Sequence, residues 1–79
     1  SARQPISLAY DILYRLKHEK RVQPARAVCV RCASAVASLL RQGKLAPYLA
    51  DIEKQFVSSV EFQTESRHDL STYELLVTS

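Results

Sequence analysis

Cys29 and Cys32, spaced as Cys-Val-Arg-Cys, are the side chains of this sequence with the most inherent reactivity. Two thiols three positions apart suit disulfide exchange, in which a helix N-terminus stabilises the attacking thiolate, or one half of a zinc site. A redox module needs an accessible Cys32 of lowered pKa at the start of a helix. A zinc site needs two further ligands, and the two histidines, His18 and His68, show no ligand spacing with each other or with the cysteines. The structural alternative, which is preferred, makes Cys29 a small buried apolar residue inside a strand and leaves Cys32 incidental. The carboxylates are no better arranged for catalysis. Asp51 and Glu53 are two apart on a predicted helix and face different ways, and His68 and Asp69 lie in a predicted loop without a paired nucleophile. A single glycine, Gly43, cannot build a phosphate-cradling loop. No catalytic, cofactor-binding or metal-ligating residue is therefore assigned, and the chain is not expected to be an enzyme.

Charge is divided along the sequence. Residues 1–44 carry 9 basic and 2 acidic side chains, net +7, and residues 45–79 carry 2 basic and 6 acidic ones, net −4. Lys17, Lys20, Arg21 and Arg26 could contact phosphates, with Tyr10 and Tyr14 stacking on bases, which defines a single-stranded RNA-binding alternative. No RNA-recognition, KH-type or glycine-rich signature accompanies them. The same division of charge could steer one copy of the chain onto another, head to tail or symmetrically.

These side chains must be positioned by a small scaffold. Seventy-nine residues, 47% of them hydrophobic, are enough for one core. No stretch reaches the roughly 18 apolar residues of a membrane span, and two cysteines cannot staple a secreted scaffold. A single globular domain over 1–79, cytoplasmic and in a reducing compartment, is expected. The absence of methionine and of a signal segment fits a module excised from a larger protein.

The spacing predicts a helix from about Ile6 to Lys20, with Ser7 as N-cap and Ala9, Ile12, Leu13 and Leu16 as its apolar stripe. Leu8, Tyr10 and Tyr14 widen that apolar arc and form a candidate interface strip, at least one of them being expected in the core instead. Pro24 ends the first segment. Ala25 to Val30 then reads as a strand apolar on both faces. A second helix capped by Ser34 carries Ala33, Val36, Ala37 and Leu40, and Gly43 follows as a left-handed C-cap. Leu45, Leu49, Ile52 and Phe56 mark a third helix with Pro47 in its first turn. Val60–Phe62 and Tyr73–Val77 alternate with polar residues and predict two strands, each with one wet face, joined by Glu65 to Asp69. The expected fold is α/β (or α+β), a three-stranded mixed sheet packed by about three helices in the order helix-strand-helix-helix-strand-strand. The first two strands are expected to run parallel and the last two to pair antiparallel. Strand order stays open, because burial places the first strand centrally and a terminal hairpin would place it at an edge.

This succession resembles the C-terminal small domain of the ribonuclease E/G family, in particular its ribonuclease G branch. The residues that carry the likeness are Leu8-Ala9-Tyr10-Asp11-Ile12-Leu13, then Ala27-Val28-Cys29-Val30 leading into Ala33-Ser34-Ala35-Val36-Ala37 and Leu39-Leu40. It continues with Leu49, Ile52-Glu53, Val57, Val60-Glu61-Phe62 and the closing Tyr73-Glu74-Leu75-Leu76-Val77. The match spans nearly the whole chain through spacing and residue class. It implies a parent that is a magnesium-dependent endoribonuclease of RNA processing and decay, whose catalytic carboxylates, RNA-binding domain and zinc-binding cysteines all precede this domain. Cys29 and Cys32 do not match those zinc ligands, and no family residue is carried over. The resemblance thus implies a non-catalytic interaction or oligomerisation domain, with a second copy and the rest of the nuclease as partners.

Overall fold

The computed structural model describes residues 4–65 and 71–79. Most of the expected connection Glu65–Asp69, with His68 and Asp69, lies outside the described residues. The order is α1 (Pro5–His18), β1 (Ala27–Ala33), α2 (Ser34–Arg41), α3 (Ala46–Glu53), β2 (Val60–Glu65) and β3 (Glu74–Thr78), a small α/β domain with a three-stranded mixed sheet. No helix among the described residues is long and apolar enough to cross a membrane.

Strand order is β2-β1-β3. β1 pairs parallel with β2, Val28 opposite Val60, because α2 and α3 carry the chain back to the same end of the sheet. β1 pairs antiparallel with β3, Val30 opposite Leu75. The expected antiparallel pairing of the last two strands is thereby corrected. β1 lies between them, since its apolar residues need neighbours on both sides and a hairpin would have left it at an edge.

β1 also starts two residues later than expected and runs three further, to Ala33. Val28, Val30 and Cys32 point into the core, whereas Ala27, Cys29 and Arg31 lie on the other side of the sheet. That second side is only partly covered, so the expected burial of both faces is corrected as well. Val60, Phe62, Leu75 and Val77 continue the inner face across the neighbouring strands, and Glu61, Gln63, Glu74 and Leu76 continue the open one. The sheet is therefore half-wet and the fold has two layers.

The helices pack on one side. α2 contacts β1 and β2, and α1 lies against α2 and α3. α1 begins at Pro5, whose fixed φ suits the first helical position, and Gln4 rather than Ser7 is the residue outside it. Likewise Ala33, still extended, precedes α2, and Ser34 is already helical. Leu8, Ala9, Ile12, Leu13 and Leu16 of α1 meet Val36, Ala37 and Leu40 of α2 and Leu49 of α3 in one core with Val22, Val28, Val30 and Val60. α3 stops at Glu53, so Phe56 packs from the following turn.

Glu53 ties this turn to the sheet. Its carboxylate accepts from both terminal nitrogens of Arg41, at 3.1 and 3.2 Å, and from the Val60 amide at 2.6 Å. Arg41 also donates to the Val60 carbonyl and lies 5.1 Å from the centre of the Phe62 ring. One ion pair thus joins the ends of α2 and α3 to the first residue of β2.

Gly43 serves a different purpose from the expected left-handed cap, because no glycine has a positive φ. Its amide donates to the Ser38 carbonyl at 2.8 Å, drawing the chain tightly over the end of α2. A Cβ at Gly43 would meet Leu39 Cα at 2.9 Å, a backbone atom that cannot rotate away. Gly43→Ala is expected to cost about 1–2 kcal/mol, in the range of overpacking substitutions, as read from the urea midpoint. An unchanged midpoint would show that the turn relaxes freely.

Candidate interaction surface

The cysteines are separated by the strand that holds them. Residues three apart in an extended strand lie about 10 Å apart and point to opposite faces, well beyond the roughly 4.4–6.8 Å that a disulfide spans between Cα atoms. Cys32 is fully buried, at 0% exposure, and Cys29 is half-buried on the open face. The expected roles are thus exchanged, with Cys32 in the core and Cys29 partly outside, because β1 continues through both. Burial pushes the Cys32 thiol up to about 11, and a backbone hydrogen bond with Ala37 only partly opposes this. A redox pair requires an accessible, acidified Cys32, and this geometry provides the reverse. Among the described residues, no group of three or more His, Cys, Asp or Glu is placed to hold a metal ion.

The predicted interface strip divides in two. Leu8 is 1% exposed and belongs to the core cluster with Ala9 and Ile12. Leu8 is therefore withdrawn from the strip. Tyr10 and Tyr14 are exposed at 54% and 68%, and they are joined by Tyr48 of α3 at 60%. Tyr48 was not anticipated from the sequence. It stands three residues after Leu45 and four before Ile52, a helical spacing that reads as core, so its exposure follows only from how α3 packs.

These rings border two adjoining hollows between α1 and α3. One, of about 670 Å³, lies among Tyr10, Leu13, Tyr14, Lys17, Tyr48 and Ile52. The other, of about 420 Å³, shares Lys17, Tyr48 and Ile52 and extends past Lys20 to Phe56. The Tyr14 and His18 rings pack with centroids 4.4 Å apart, which holds the aromatic ridge along α1. Together the hollows form a groove with an apolar floor and an aromatic rim. Exposed rings of this kind are enriched at protein-contact surfaces, and Asp11, Lys17, Glu19, Lys20 and Asp51 supply charge around them.

The four cations considered for RNA are not all on the groove. Lys17 and Lys20 line the groove, but neither Arg21 nor Arg26 does. Arg21 is bound to Glu19 at 2.8 Å, and its guanidinium holds that carboxylate below the usual range. Glu19 also faces Arg15 at 3.8 Å, and Asp51 faces Lys54 at 3.4 Å. Among the described residues Lys17, Lys20 and Arg26 have no ion-pair partner, but Arg26 lies at the start of β1, where its amide donates to the Thr78 carbonyl.

No protein-family model matches this chain, and no curated protein matches it either.

Proposed function

We propose that this chain is a non-catalytic interaction and oligomerisation domain of a larger, cytoplasmic ribonuclease E/G-like endoribonuclease, acting by protein–protein contact through the α1–α3 groove. The observation that carries the reading is the exposure of Tyr10, Tyr14 and Tyr48 around one apolar groove. Rigid aromatic rings bury a large area for little lost side-chain freedom, so clusters of them supply much of the binding energy of protein contacts. The class of the parent comes from the resemblance of the sequence alone. Its partners in this reading are a second copy and the remainder of the nuclease chain. Magnesium and zinc would be held by the parent, outside these residues.

RNA binding is the weaker reading, because only two of its four cations reach the tyrosines. A single-stranded binder combines stacking rings with a cationic track for successive phosphates. Here Glu19 and Asp51 interrupt such a track at the rim of the groove. The chain is expected to leave a labelled single-stranded RNA uncut in the presence of magnesium, and to bind a uridine-rich oligonucleotide no more tightly than a non-specific contact, Kd above about 10⁻⁶ M at physiological salt. Cleavage of that RNA would remove the non-catalytic assignment. Submicromolar binding with a steep salt dependence would promote the RNA reading.

A further inference from the structure

The α1–α3 groove has an apolar floor throughout and unlike charge at its two ends. Leu13 and Ile52 floor one hollow, and Leu16, Ile52 and Phe56 floor the other. Asp11 stands in the first half of α1, whereas Lys17 lies at its last turn and Lys20 just past it. Glu19 and Asp51 share the lysine end, but each is engaged by its own cations. Glu19 faces Arg21 at 2.8 Å and Arg15 at 3.8 Å, and Asp51 faces Lys54 at 3.4 Å. Once those pairs are set aside, Lys17 and Lys20 are the surplus, exposed and without an ion-pair partner among the described residues.

We propose that the groove receives an amphipathic helix of another protein, its apolar side chains on the floor between the tyrosines and its acidic first turn on Lys17 and Lys20. The proposal rests on the interaction-domain reading and names the kind of partner the groove takes. Between Ser7 and Lys17 α1 rises about 15 Å, the length of about three turns of a docked helix with an anchor at every third or fourth position. Aspartate and glutamate are favoured in the first turn of a helix, where they meet the positive end of its dipole. With that turn on Lys17 and Lys20, the helix runs antiparallel to α1 and the two dipoles oppose. Asp11 disfavours the reverse direction, which would bring the acidic turn onto a carboxylate. None of α1, α2 and α3 has an acidic residue in its first turn, and each already commits apolar residues to the core. A second copy can therefore cover the rings but has no such helix to offer. A nucleic-acid strand would satisfy Lys17 and Lys20 but would leave the apolar floor unfilled and run on to Asp11.

Fluorescence anisotropy with a labelled peptide of about 14 residues tests this, with glutamates in its first turn and leucines at every third or fourth position. The peptide is expected to bind the chain and to gain helical circular dichroism as it does so. The same leucines headed by lysines are expected to bind at least about tenfold more weakly. Lys17→Glu with Lys20→Glu is expected to reverse that preference, an outcome that a merely misfolded variant could not give. Tyr14→Ala with Tyr48→Ala is expected to weaken the glutamate-headed peptide about tenfold or more. All four side chains are exposed, so the substitutions leave the core intact. No binding of the glutamate-headed peptide at roughly 10⁻⁴ M, equal binding of the two peptides, or a preference that the lysine variant leaves unmoved would overturn the proposal. A uridine-rich oligonucleotide that binds through Lys17 and Lys20 more tightly than either peptide would overturn it in favour of RNA. If the peptides fail while self-association of the chain still depends on Tyr14 and Tyr48, the docked helix falls and the interaction-domain reading stands. If neither a peptide nor a second copy engages those tyrosines, both fall.

Discussion

Glu53→Ala is expected to lower the stability of this domain by about 2–3 kcal/mol, measured by urea denaturation. Glu53 receives the Val60 amide and both terminal nitrogens of Arg41; its removal leaves the Val60 amide and Arg41 Nη1 without this acceptor, whereas Arg41 Nη2 keeps the Val60 carbonyl. Arg41 is part-exposed, so its charge is screened and the Coulombic share of the loss is small. Most of the cost comes from the Val60 amide, which starts the parallel β1–β2 ladder, and from the loosened end of α3. Glu53→Gln keeps an acceptor for one of these donors and is expected to lose about half as much. Small cores contribute only about 3–5 kcal/mol in total, so the alanine variant should approach the threshold of unfolding. A loss below about 0.5 kcal/mol would mean that the junction is held by Leu40, Leu45 and Leu49 without help from the ion pair.

The second large effect separates the two thiols. At neutral pH a water-soluble thiol reagent is expected to modify Cys29 and to spare Cys32, with native-state rates differing by about a hundredfold or more. Cys29 looks out from the open face, whereas Cys32 is enclosed beneath α2 and holds its proton tightly. The raised pKa also sets a pH dependence. The thiol has its ordinary value of 9.0 in the unfolded chain and about 11 in the folded one, so the folded state binds the proton more strongly. Its contribution is therefore unchanged below pH 9 and is lost between about 9 and 11, where the unfolded thiol ionises first. Cys32→Ala should abolish that alkaline decline at some cost in packing, and Cys29→Ala should leave it in place. Equal reactivity of the two thiols in the folded protein would contradict the burial of Cys32.

The elements were legible in the sequence because each has a clean period. Ala9, Ile12, Leu13 and Leu16 repeat every three to four residues, and Val60–Phe62 and Leu75–Val77 every two, so helices and strands could be told apart without tertiary information. Two features depended on long-range packing. The length of β1 turned on whether Cys32 continued a strand or opened a helix, and Arg31 between two apolar neighbours fitted either. The place of β3 beside β1 is a choice between partners distant in sequence, to which turn chemistry is blind. Of the three rings at the proposed interaction surface, Tyr10 and Tyr14 were visible in the sequence. Leu8 was misplaced because α1 is covered by α2 and α3 over a wider arc than its stripe suggests. The contribution of Tyr48 arises only when α3 is laid along α1.

The claim at the centre is that this domain works by protein contact through the tyrosine-lined groove. It is tested most directly by sedimentation equilibrium of the chain and of a Tyr14→Ala, Tyr48→Ala variant, over a concentration range reaching well above micromolar. The expected result is a wild-type mass that rises above that of the monomer, and a folded variant whose association is weaker by about 2 kcal/mol or more. A wild type and a variant with the same mass at every concentration would contradict it.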